Sequence, residues 1–125
     1  MCQKAFGSFF APLVMIELED FAWTRGEASI FMSSPTVERG FCASCGTPLT
    51  FRNIEGERID VSIGSLDAPA KVRPERQIGT ESRMPWFAEL QDLPASATEE
   101  YLTPERLAKI ENRQHPDHDT DDWPG

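Results

Sequence analysis

The residues with the clearest capacity for chemistry are Cys42 and Cys45, in the run Phe41-Cys42-Ala43-Ser44-Cys45-Gly46-Thr47-Pro48. Two thiolates at C-x-x-C spacing reach one metal ion, and a glycine directly after them permits the positive φ that folds a loop back on itself. The same spacing serves a dithiol redox pair, which opens a helix after a strand. Here Gly46, Thr47 and Pro48 oppose a continued helix, and strand-like sequence lies on both sides. That context suits a zinc knuckle, with a redox pair and two unpaired structural thiols as the alternatives. A closed structural zinc site takes four ligands, so the pair supplies half of one. The third cysteine, Cys2, stands apart beside Met1. His115 and His118 are the only histidines, and Pro116 breaks any helix that would join them. Both read as residues of a solvated tail, so no Ser-His-Asp set is credible.

The rest of the chain bounds what surrounds the pair. Its 125 residues suit one compact domain. A hydrophobic fraction of 39% and an aromatic fraction of 10% supply a core and argue against disorder. The net charge of −9 repels phosphate backbones and anionic lipid, which excludes general nucleic-acid or membrane-surface binding. Three cysteines cannot close a disulfide framework among themselves. Lys4 and the apolar run 5–16 imitate an export signal, but Pro12 interrupts the run, and Glu17, Glu19 and Asp20 stand where a cleavage site needs small residues. The run also falls short of the roughly 20 apolar residues that span a bilayer. A cytoplasmic protein with free thiols is expected.

The elements that must position the cysteines read as a mainly β domain. Strands are expected over 13–18, 28–32 and 36–41, and again from Leu49. Ile59, Val61 and Ile63 alternate with Asp60 and Ser62, the period of a half-buried strand. A further strand is expected at Gln77-Ile78. Thr103 as N-cap and Pro104 at the first helical position start a short C-terminal helix running to about Arg113. Residues 115–125 form an acidic tail, expected to be disordered.

The ordered motifs resemble the family of glutathione-dependent formaldehyde-activating enzymes, to which a centromere protein also belongs. The matching segments are Cys2-Gln3-Lys4-Ala5-Phe6-Gly7-Ser8, Phe21-Ala22-Trp23-Thr24-Arg25-Gly26-Glu27 and Ser33-Ser34-Pro35. They continue through Arg39-Gly40-Phe41-Cys42-Ala43-Ser44-Cys45-Gly46-Thr47-Pro48-Leu49, then Gly64-Ser65-Leu66-Asp67 and Met84-Pro85-Trp86-Phe87. The resemblance implies a zinc-binding β-tent domain over residues 1–95, incomplete at its N-terminus, followed by a helical extension over 96–114 and the tail. It implies two zinc sites. Cys42 and Cys45 match half of the structural one, and Cys2 matches the last cysteine of the catalytic C-x-C-x-x-C. The remaining donors would lie ahead of Met1, as expected of a fragment or a start assigned too late, with a truncated member that has lost its metal chemistry as the alternative. Gln77 stands where many relatives carry histidine.

In such a family an open zinc position receives a thiol, and glutathione plus formaldehyde gives the S-hydroxymethyl adduct. The expected function is therefore zinc-dependent carbon–sulfur lyase-like chemistry on a thiol–aldehyde adduct. A zinc-stabilised β module that binds a ligand without catalysis and a C-x-x-C redox protein are the alternatives. The expected small-molecule partners are glutathione and an aldehyde. Arg73, Arg76 and Arg83 could meet carboxylates of glutathione, against a plain role in surface solvation. Phe6, Phe9 and Phe10 could wall a pocket, but such clusters more often form core. Trp23 and Trp86 read as packing residues, and Asp60 and Asp67 as exposed polar groups.

Overall fold

Short apolar runs separated by turn residues fold the first half of the chain into one sheet. A computed structural model describes residues 1–124. A helix, α1 (Cys2–Phe6), precedes the strands β1 (Leu13–Glu17), β2 (Ser29–Ser34), β3 (Val37–Phe41), β4 (Pro48–Asn53) and β5 (Arg58–Ser62). Their spatial order is β1-β5-β4-β3-β2, and all neighbours run antiparallel. The mainly β expectation holds.

The register sorts the side chains into two cross-sheet rows, because residues directly opposed in antiparallel strands share a face. One row runs Phe31, Arg39, Phe51, Asp60, Met15. On the other face runs Ile30, Gly40, Thr50, Val61, Val14. The apolar core is thin. Ile59 is buried, joined by the polar residues Arg39, Thr50 and Ser62. Gly40 is forced by close packing: a Cβ there would overlap Thr50 Oγ1 and lie 3.1 Å from Ala28 Cβ. The edge strand β2 leaves Ile30, Phe31 and Met32 exposed.

Three sequence expectations are corrected. Ile63 leaves the β5 ladder and begins a 3-10 turn, Ile63–Ser65. Gln77-Ile78 is not a strand: no ladder reaches it, and Ile78 is 84% exposed. The neighbouring Arg73, Pro74, Glu75 and Arg76 give that stretch little to bury. The C-terminal helix spans only Pro104–Leu107 instead of reaching Arg113. Its Thr103 cap and Pro104 start are as expected, with Thr103 Oγ1 accepting from the Arg106 amide at 3.3 Å. Leu107 is only half-buried and Ile110 is exposed, so no apolar face holds further turns.

The chain divides into two units. The first contains the sheet, Met1–Ile78, together with the segment from His115 onward. The second, Gly79–Gln114, is built from 3-10 turns and two short helices, α2 (Thr98–Tyr101) and α3 (Pro104–Leu107). In the first unit, the acidic segment 115–124 forms no helix or strand. It does carry contacts: Arg25 pairs with Asp119 and, at 3.3 Å, with Asp121, and the His115 and Trp123 rings meet edge to face. No helix of the described residues is long and apolar enough to cross a membrane.

Candidate functional site

The loop between β3 and β4 carries Cys42 and Cys45. The Cys42 amide donates to the Thr47 carbonyl at 2.9 Å, and the Gly46 amide donates to the Cys42 carbonyl at 2.7 Å. Gly46 has φ 77, the left-handed turn anticipated for the residue after the second cysteine. A strand enters and a strand leaves this loop. Both thiols are half-buried and free. Burial pushes the Cys45 thiol up, but hydrogen bonds from the Thr47 side chain, the Thr47 backbone, the Cys42 thiol and the His115 backbone outweigh it, and the net pKa is lowered. The Cys45 sulfur and the Thr47 hydroxyl lie 3.1 Å apart. The loop is thus arranged to favour a thiolate at Cys45.

Cys2 lies elsewhere, at the start of α1, and its neighbour is Arg39. Arg39 Nη2 donates to Cys2 Sγ at 3.3 Å, and Nε donates to Ser33 Oγ at 3.0 Å. The guanidinium carbon sits 4.9 Å from the centre of the Phe51 ring, a cation–π contact across the β3–β4 pairing. Ser33 is available because β2 is bulged. Met32 faces Glu38 and Ser34 faces Val37, so Ser33 is the extra residue, and bulges re-aim side chains in this way. Arg39 is 7% exposed, and its Nη1 has no partner.

Further along the same row, burial raises the Asp60 pKa, against the lowering influence of Arg76. Asp60 is therefore half-buried rather than the exposed group expected from the sequence. Arg73, Arg76 and Arg83, the arginines singled out for carboxylates, are all exposed. Phe6 and Phe9 are half-buried, Phe10 is 45% exposed, and the rings of Phe9 and Phe10 pack 5.1 Å apart.

Among the described residues, no three of His, Cys, Asp and Glu come together as a metal-donor group. The β3–β4 loop presents two thiols, and Cys2 faces a guanidinium instead of further thiols. The donor set present therefore does not fit a complete four-ligand or three-thiolate zinc site. Sequence reasoning missed Arg39. Its one signal was an arginine within a strand, directly before the Gly-Phe-Cys that enters the loop.

No curated protein and no solved structure matches the chain. A family model does, over residues 1–82, and its description is glutathione-dependent formaldehyde-activating enzyme. The match includes the whole sheet, the cysteine loop and the Cys2–Arg39 contact. The chain therefore belongs to the glutathione-dependent formaldehyde-activating enzyme family.

Proposed function

We propose that the protein forms or cleaves S-hydroxymethylglutathione or a related thiol–aldehyde adduct, a carbon–sulfur lyase reaction in the direction of cleavage. The observation that carries this reading is the family match over residues 1–82, which spans both thiol-bearing places. In the forward direction the thiol sulfur bonds to the carbonyl carbon, the C=O π bond opens, and the thiol proton ends on the new hydroxyl oxygen. The chain's own contribution is polar. Arg39 holds positive charge beside Cys2, and the knuckle donates hydrogen bonds to a sulfur at Cys45. The zinc of the family reading and its β-tent fold belong to this proposal, with zinc held only where further donors join Cys42 and Cys45.

The shortage of donors favours a second reading, a β module that binds the adduct without turning it over. Exchange spectroscopy separates the two. The rate of interchange between free and S-hydroxymethylated glutathione is measured by NMR with and without the protein. Faster interchange at catalytic protein concentrations supports the lyase. An unchanged rate with ligand line-broadening supports the binding module.

A further inference from the structure

Arg39 presents an unbalanced buried charge. A guanidinium carries five N–H donors in a planar fork and stays protonated. Here one donor goes to Ser33 Oγ and one to Cys2 Sγ, while Phe51 covers a face of the plane. Both N–H groups of Nη1 lack a partner. No carboxylate pairs with Arg39 among the described residues, although the chain carries 21 Asp and Glu. Buried charges are ordinarily paired, because desolvating one without a counter-ion is costly. The other arginine with an unpartnered buried nitrogen, Arg52, does have a carboxylate, Glu38 at 3.4 Å.

We propose that Arg39 anchors an anion site at Cys2 that receives the carboxylate of a small acidic ligand. Nη1 and the second N–H of Nη2 form the edge of the fork that takes a carboxylate through two parallel hydrogen bonds. Ser33 and Phe51 fix the plane of the fork in advance, which keeps the ordering cost of binding low. Cys2 is half-buried and its sulfur lies 3.3 Å from Nη2, so the thiol reports on what sits beside the fork. This site adds a charge preference to the adduct reading. Its test does not use adduct turnover, so either can fail without the other.

The test compares alkylation of the full chain by iodoacetate, which carries a carboxylate, and iodoacetamide, which does not. Rates are resolved by cysteine through peptide mass spectrometry. The iodoacetate-to-iodoacetamide ratio at Cys2 is expected to exceed that at Cys42 and Cys45 by roughly tenfold, the worth of one charge-assisted hydrogen bond. Arg39→Gln should bring the Cys2 ratio down to that of the other two, and Arg39→Lys, which keeps the charge and loses the fork, should fall between. A second arm needs no variant. Sodium acetate should slow iodoacetamide at Cys2 in the parent chain, while sodium chloride of equal ionic strength should not. Equal ratios at all three cysteines in the parent chain, or no protection by acetate beyond that of chloride, would overturn the proposal.

Discussion

Gly40→Ala tests the packing of β3, the strand that carries Arg39 and leads into the Cys42 loop. Gly40 lacks a positive φ, so alanine meets no backbone strain there, and the smaller entropy of the unfolded chain favours it by about 0.4–1 kcal/mol. Against this stands the space. The new methyl would overlap Thr50 Oγ1, approach Ala28 Cβ to 3.1 Å and lie 3.6 Å from Ile30 Cδ1. Thr50 is buried and β-branched, so its hydroxyl does not swing aside cheaply. Overpacking of this kind costs about 1–3 kcal/mol. The net expectation is a loss of about 1–2 kcal/mol, read from urea unfolding followed by far-ultraviolet circular dichroism. The double variant with Thr50→Ala removes the colliding oxygen and should recover much of the loss, a favourable coupling of about 1 kcal/mol. A Gly40→Ala protein as stable as its parent, or strict additivity with Thr50→Ala, would refute the close approach of β3 and β4.

Further expectations concern charge, the cysteine loop and the cap of α3. Thr47→Val removes the hydroxyl bonded to the Cys45 sulfur, so the midpoint of the pH-dependent alkylation rate at Cys45 should rise in the metal-free protein. Because the folded Cys45 pKa is depressed, its stabilising contribution is present above the unfolded thiol range and fades as pH falls through the folded midpoint. Asp60 has the opposite sign: its raised pKa means that stability is lost as pH rises through the window between the unfolded and folded values. Asp60→Asn should flatten that loss in a pH series of unfolding curves, and Arg76→Ala should raise the Asp60 midpoint further in carboxyl NMR titrations. Thr103→Ala removes the cap of α3 and should speed amide exchange at Arg106, with no effect on the sheet amides.

The cysteine loop was legible because its instructions are local. Two thiols, a glycine and a proline within seven residues dictate a turn between strands whatever surrounds them. The Ile59–Val61 alternation was equally local. Arg39 was not legible, because its burial depends on a bulge at Ser33, a ring at position 51 in the next strand and a helix at the chain start. No window of sequence contains these together. The apolar stretch near the N-terminus likewise concealed α1, whose role is to bring Cys2 to the sheet. The extension of α3 to Arg113 and the strand at Gln77 failed for a common reason. Local propensity pointed to them, but neither has an apolar face to bury. The family resemblance was legible from ordered motifs and is met by the match over residues 1–82.

Metal titration of the thiols reads most directly on whether Cys2 and the Cys42–Cys45 pair are separate places. Metal-free protein is titrated with zinc against a chromophoric chelator, and the cobalt complex is used to count thiolate ligands by their charge-transfer absorbance. A complete structural zinc site is worth about 10–16 kcal/mol, and a two-thiol knuckle falls well below that. The expected result is weak zinc binding that the chelator removes, two thiolates per cobalt ion, and no change in either on Cys2→Ser. A tight complex of one zinc per chain with three or more thiolates, lost on Cys2→Ser, would contradict it.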